Sequence, residues 1–127
     1  MTRSEFIRRL VLNAIRDDFE SVDQVILPEV PQVGAKCGLA VHRSDVLEAL
    51  RALVAGGLAK AYDLSATDRD PFSGGIQGMP SLAVPEKDFR TYFYVTKQGM
   101  DFHLADGTWY PLDDEDELRP DWQPPDR

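Results

Sequence analysis

The stretch from His42 to Leu64, HRSDVLEALRALVAGGLAKAYDL, decides the fold that we expect for this chain. Ser44 suits the cap of a helix, and the negative charge of Asp45 suits the positive end of the helix dipole. Gly56 or Gly57 supplies the left-handed turn that ends such a helix. The helix is therefore predicted over residues 44–56. Its buried face comprises Val46, Leu47, Leu50, Leu53 and Val54.

Two alternating segments follow this helix and predict an antiparallel ribbon. The first is residues 58–64, in which Leu58 and Tyr62 share one face, and the second is residues 90–96, RTYFYVT. In the second segment Phe93 and Val95 share one face, and the tyrosines share the other. Thr96 then caps a short helix ending near Leu104, which we expect to contact the core through Met100, Phe102 and Leu104.

Two further helices are predicted before this segment, near residues 2–17 and 21–33. Thr2 with Glu5, and Ser21 with Gln24, have the spacing of capping boxes. Pro28 should stop or kink the second helix, because proline lacks a backbone N–H and disfavours helical geometry at the preceding residue. The alternative is a second short turn that starts at Pro28, since proline suits the first turn of a helix. The expected core comprises Phe6, Leu10, Ile15, Val25, Ile26, Leu47, Leu50, Leu53, Leu58, Phe93 and Val95.

The connection between the two strands, residues 65–89, is rich in Asp, Ser, Gly and Pro. At about 25 residues it is much longer than a usual hairpin loop, so we expect it to be functional or mobile. Mobility is expected unless an apolar side chain anchors the connection to the core. The side chains that could do so are Phe72, Ile76, Met79 and Leu82.

The net charge of -8 over 127 residues is concentrated at the C-terminal end. Residues 1–60 hold eight Lys/Arg and eight Asp/Glu, whereas residues 106–127 hold eight acids against two arginines. We therefore divide the chain into a domain at 1–105 and an acidic, aromatic-containing tail at 106–127. A nearly neutral domain lacks the clustered basic residues that supply most non-specific affinity for nucleic acids.

The residues that carry chemistry in enzymes form no recognisable motif here. Cys37 is a lone cysteine, and His42 and His103 are isolated. The acidic run at 113–117 lacks the glycine and ligand spacing of a calcium loop. We predict no catalytic residue, no metal site and no cofactor. The absence of an apolar run of about 18 residues argues against a membrane span, and we expect a cytoplasmic protein.

The motif L50-x-x-L53-x-x-x-G57-L58-A59-x-x-Y62, followed by Y94-V95-T96-x-x-G99, resembles the recognition helix and wing of bacterial winged-helix proteins. PadR-like and MarR-like regulators are the nearest examples, and the resemblance covers residues 44–104. It implies an α+β winged helix of three helices, a two-stranded ribbon with a long wing loop, and a short C-terminal helix. The chain departs from PadR-like regulators in that its last helix is too short to be a dimerisation arm.

The resemblance leaves three functions open, a protein-interaction module, a DNA-binding regulator, and a small-molecule sensor or enzyme. A DNA-binding winged helix would use polar side chains of the third helix and the wing. The candidate contacts are Arg43, Ser44, Arg51, Arg69, Lys87 and Arg90. The outward face of the third helix, however, is expected to present Asp45, Glu48, Ala49, Arg51, Ala52 and Ala55. Two acids, three alanines and one arginine offer few hydrogen-bond donors to base edges.

The prolines and mutually repelling acids of the tail are typical of a disordered, solubilising end, but its aromatic residues argue for a further role. Trp109, Tyr110 and Trp122 could anchor a protein partner, or they could fold back on their own domain. We favour fold-back for these residues. For the whole chain we favour a non-catalytic module that binds a protein partner or forms a homo-oligomer, with DNA binding as the alternative and no membrane contact.

Overall fold

The structure, a computed structural model, describes residues 1–63, 76, 78–82, 91–105 and 107–126. Over these residues the fold is α+β, with four α-helices and a small antiparallel sheet of three strands. The helices are α1 (Arg3–Ala14), α2 (Leu27–Lys36), α3 (Arg43–Ala55) and α4 (Lys97–Leu104), and the strands are β1 (Glu20–Ser21), β2 (Ala59–Asp63) and β3 (Thr91–Val95).

The start of α1 confirms the predicted capping box. The backbone N–H of Glu5 donates to the Thr2 hydroxyl at 3.1 Å, and the Glu5 carboxylate accepts from the Thr2 N–H at 3.3 Å. The helix ends at Ala14, three residues before the predicted end. Its apolar stripe is buried, with Phe6, Leu10 and Val11 at most 2% exposed.

A new helical segment begins beside Pro28, which agrees with the predicted alternative of a second turn starting at that residue. Ser21 caps a π-helical turn, Val22–Ile26, as its spacing to Gln24 predicted. The wider turn places Pro28 in the first turn of α2, where a backbone N–H would have no helical partner in any case. The helix therefore continues to Lys36, three residues beyond the predicted end at residue 33.

The third helix begins one residue earlier than predicted, and His42 rather than Ser44 is its capping residue. The Asp45 carboxylate accepts from the His42 N–H at 2.9 Å. At the other end Gly57 has a φ of 76°, and the Leu58 N–H donates to the Leu53 carbonyl at 2.9 Å. This pair of features is the predicted glycine stop.

The sheet has the order β1-β3-β2, and β1 was not predicted. Ala61 and Glu20 flank Phe93 on either side of β3. The alternation in β3 is confirmed, since Phe93 and Val95 are buried and the tyrosines are half-buried. In β2 the core side belongs to Ala59 and Ala61, not to the predicted Leu58 face, and Leu58 is only half-buried.

The short C-terminal helix α4 is placed by Thr96 and Gly99. The Thr96 hydroxyl accepts from the Gly99 N–H at 3.0 Å and donates to the Gly57 carbonyl at 2.6 Å. Gly99 is required there because a Cβ atom would collide with the Leu58 carbonyl. Met100 packs on the core as expected. Leu104, in contrast, is 69% exposed, because it lies on the far side of the helix.

Most of the predicted core residues are buried, namely Phe6, Leu10, Ile15, Ile26, Leu47, Leu50, Leu53, Phe93 and Val95. Val25 is half-buried, because it lies in the π-helical turn, which rotates side chains away from regular helical positions.

Part of the long connection is anchored to the domain. The Ile76 N–H donates to the Ala61 carbonyl at 2.8 Å, and Ile76, Met79 and Leu82 pack against the core. Most of the connection, Phe72 included, lies outside the described residues, and the mobility expected there stays a prediction.

The C-terminal segment, residues 107–126, packs on the helices rather than standing apart from them. Trp109 and Leu112 are 6% and 5% exposed and belong to the same core as α1 and α3. Near the chain ends the Asp126 N–H donates to the Met1 carbonyl at 2.8 Å, and the Arg3 N–H donates to the Asp126 carbonyl at 2.9 Å. Residues of the C-terminal segment therefore contribute to the same core as the helices.

Candidate functional site

The N-terminal end of α3 is engaged in ion pairs within the chain. The Arg43 guanidinium lies 2.7 Å from the Asp23 carboxylate, and the Asp23 side chain is only 9% exposed. The Asp45 carboxylate lies 3.3 Å from the Arg3 guanidinium of α1. The Arg3 guanidinium and the His42 N–H, in that order, hold the pKa of Asp45 below its ordinary value. Both charged side chains at this end of α3, Arg43 and Asp45, therefore form ion pairs within the chain.

The rest of the outward face of α3 differs from the prediction at one position. Ala49 is 5% exposed and packs in the core, so it is not an outward residue. Ser44, Glu48 and Arg51 are exposed. Of the three candidate DNA contacts on this helix, Arg51 and Ser44 are thus accessible, while Arg43 is held by Asp23. Arg69, Lys87 and Arg90, the candidates on the wing, lie outside the described residues.

The three candidate partner anchors lie against the chain itself. The Trp109 and Trp122 rings lie 6.0 Å and 5.4 Å from the Phe6 ring. The Trp122 indole N–H donates to the Trp109 carbonyl at 3.0 Å. Tyr110 is half-buried with its ring 5.3 Å from Trp109. Trp109 in particular is a core residue, so these aromatics fold back as the sequence favoured.

A groove that sequence reasoning missed lies between α1, the C-terminal end of α3 and α4. It has a volume of about 490 Å³, and we call it the α1–α4 groove. Its floor and walls are largely apolar, although the side chains of α1 that border it are charged. The lining residues are Met1, Glu5, Arg8, Arg9, Ala52, Leu53, Gly56, Leu58 and Phe102.

Two arginines give the α1–α4 groove its charge. The Arg9 guanidinium lies 4.4 Å from the centre of the Phe102 ring, a cation–π contact. Its Nη1 atom is buried without a hydrogen-bond acceptor within the described part of the chain. Arg8 donates to the Ser4 carbonyl of its own helix at 3.3 Å. Only the packing of α4 beside α1 reveals the groove.

The acidic run of the C-terminal segment forms a closed loop. Leu112 and Leu118 pair across it, and Asp113 accepts from the N–H groups of Glu115 and Glu117 at 2.9 and 3.1 Å. The Lys36 ammonium holds the loop to α2, lying 3.4 Å from the Asp116 carboxylate. This loop keeps its carboxylates in solvent and away from the core.

The titratable groups that could perform chemistry lie apart. Burial raises the pKa of the Cys37 thiol to about 11, and the thiol donates to the Val33 carbonyl at 3.1 Å. Burial, followed by Arg16 and Arg9, lowers the pKa of His103. Among the described residues no three His, Cys, Asp or Glu side chains are grouped to hold a metal ion. No helix within those residues is long and apolar enough to span a bilayer.

No protein-family model matches this sequence, and no match is found among curated proteins or solved structures.

Proposed function

We propose that this chain is a winged-helix domain of the kind suggested by its resemblance to PadR-like and MarR-like proteins. The element order supports this assignment, because three helical segments precede a two-stranded hairpin that follows α3 directly. The short strand β1, between α1 and α2, joins the hairpin at β3 and closes the sheet. A cytoplasmic location is part of the same proposal.

Its proposed function is to bind a protein partner without catalysis. The observation that carries this choice is the pairing of charges at the N-terminal end of α3, the end that reads base edges in helix-turn-helix proteins. Arg43 is bound to Asp23, and Asp45 and Glu48 place carboxylates on the surface that would face phosphates. Bringing the exposed Glu48 carboxylate to DNA would cost Coulomb energy, and the guanidinium of Arg3 on α1 is already paired with Asp45.

The alternative, a DNA-binding regulator, draws on Arg51 and Ser44. Both are exposed on α3, and both side-chain types donate to phosphates or base edges. One arginine and one serine, however, are few donors for a recognition helix. The α1–α4 groove offers a larger continuous surface with the mixture of apolar and arginine side chains typical of protein interfaces.

A paired selection tests the proposal. The full chain is immobilised, and a random duplex DNA library and a random peptide library are each selected against it at about 0.15 M salt. We expect reproducible enrichment of related peptides and no enrichment of any duplex sequence. Enrichment of duplex sequences without peptide enrichment would reverse the choice in favour of the DNA-binding alternative.

A further inference from the structure

We propose that the α1–α4 groove binds an acidic peptide segment that carries a bulky apolar anchor. The inference rests on the proposed function, since it names the surface and the chemistry of the protein partner. It depends on two properties of the groove, exposed apolar area and an unpaired positive charge.

The apolar property comes from side chains that the fold leaves in solvent. Met1 and Phe102 are 42% and 39% exposed, although both are large and apolar, and both line the groove. Leu58 and Ala52, on the opposite wall, are half-buried. A side chain such as Leu or Phe placed between these walls would remove apolar surface from water on both partners.

The charge property comes from α1. Arg8 and Arg9 border the groove with Glu5 as the one acid among its lining residues, so the lining carries a net positive charge on a chain of net charge -8. Neither arginine forms an ion pair with another described residue, unlike Arg3 and Arg43, which each have a carboxylate. A partner carboxylate would therefore find two guanidinium groups that no described carboxylate engages.

The combination favours an acidic peptide over a second copy of this chain. The chain's own acidic loop, residues 112–118, has carboxylates and the 45%-exposed Leu118, but Lys36 fixes it to α2. A second copy would also bring another net charge of -8 against the first, whereas a short peptide brings its carboxylates alone.

The experiment uses the peptides enriched on the full chain in the paired selection, with their affinities measured by fluorescence anisotropy. We expect the enriched sequences to combine Asp or Glu with Leu, Phe or Trp. The double variant Arg8→Gln, Arg9→Gln should weaken their binding at least about ten-fold, since it removes two charged donors and leaves much of both side-chain stems. Arg51→Gln, an exposed arginine on α3 outside the groove, is the matched control and should leave the affinity unchanged.

Two substitutions on α4, one inside the groove and one outside it, test the contribution of the apolar wall. Phe102→Ser should weaken peptide binding, and Leu104→Ser, at a more exposed position outside the groove lining, should not. Circular dichroism melts of all variants verify that each is folded. Because glutamine at position 9 can still pack on Phe102, the charge test holds even if Phe102→Ser perturbs the fold.

Three outcomes would overturn the inference. The first is that the enriched peptides lack acidic residues, or that their affinities are unchanged in Arg8→Gln, Arg9→Gln. This result would contradict binding in the groove but would leave the proposed protein-binding function standing. Self-association in analytical ultracentrifugation that Arg8→Gln, Arg9→Gln abolishes would make a second copy the occupant. Failure to enrich any peptide would count against the proposed function itself.

Discussion

The ring of Phe6 at the start of α1 lies 5.4 Å from the indole of Trp122, five residues before the end of the chain. This contact, together with the Trp109 contact to the same ring, makes the C-terminal segment a cover for the first helix. Removing residues 106–127 would therefore expose Phe6 as well as delete acidic charge. Replacing the exposed acids Asp114, Glu115 and Glu117 by their amides tests how the acidic charge affects binding without exposing Phe6.

Trp109→Ala should lower the free energy of unfolding by about 3–5 kcal/mol, because it empties a site in the core beneath the C-terminal segment. Urea unfolding followed by circular dichroism measures the loss. Leu104→Ala, at a side chain that is 69% exposed, is the control and should change the stability by less than about 0.5 kcal/mol. Equal stability of Trp109→Ala and the parent chain would mean that the segment does not pack as described.

Leu50→Ala should cost about 2–5 kcal/mol of unfolding free energy, since Leu50 is fully buried on α3 and the truncation leaves a cavity. The neighbouring substitution Arg51→Ala, on the exposed side of the same helix, should have little effect. Thermal and urea denaturation of both variants provide the comparison. A small loss for Leu50→Ala would contradict the placement of α3 against the core.

Asp45→Asn should remove a part of the pH dependence of stability. The Arg3 guanidinium and the His42 N–H lower the pKa of Asp45 below its ordinary 3.8, so its ionised form stabilises the fold above that pH. This contribution is lost as the pH falls through the lower, folded-state pKa. At neutral pH the variant should lose on the order of 1 kcal/mol.

The difference between the parent chain and Asp45→Asn should then shrink as the pH falls below about 4. Urea unfolding at several pH values measures it, with Glu48→Gln as a control on the same helix outside this bonding network. A difference that stays constant down to the acid limit would argue against the ion pair.

The Cys37 thiol should react slowly with a disulfide reagent in the folded chain. Burial raises its pKa from 9.0 to about 11, so the thiolate fraction at mildly alkaline pH falls about a hundred-fold below that of an unperturbed thiol. Unfolding in urea should restore ordinary reactivity. Equal rates in the folded and unfolded chain would show that Cys37 is not shielded.

The sequence predicted the elements whose signals are local. The Thr2–Glu5 and Ser21–Gln24 pairs, the glycine stop at Gly57 and the Thr96 cap each depend on hydrogen bonds between near neighbours, and all four occur. The alternation of Phe93 and Val95 with tyrosines was equally clear, because a strand in the middle of a half-covered sheet has two distinct faces.

The missed features depend on contacts between distant residues. Strand β1 has two polar residues and exists only because β3 lies beside it. The small residues Ala59 and Ala61 face the core because Phe93 and the helices fill the space above them, whereas hydrophobicity alone pointed to Leu58. The π-helical turn before Pro28 was not predicted, because such a turn cannot be inferred from propensity.

In the candidate site, too, the features that depend on tertiary contacts were not predicted. Fold-back of Trp109 and Trp122 was favoured because a domain of this size commonly covers its own groove, but their contact with Phe6 could not be inferred. The α1–α4 groove could not be inferred, because Arg9 and Phe102 are 93 positions apart and only tertiary packing brings them together.

The central claim, a domain that binds protein rather than DNA, is tested most directly by measuring both affinities on one sample. Anisotropy titrations compare the best peptide and the best duplex from the paired selection at about 0.15 M salt, with the parent chain and Arg51→Gln. We expect saturable peptide binding, unchanged in Arg51→Gln, and no measurable duplex binding. Submicromolar, sequence-selective duplex binding that weakens in Arg51→Gln would contradict the account.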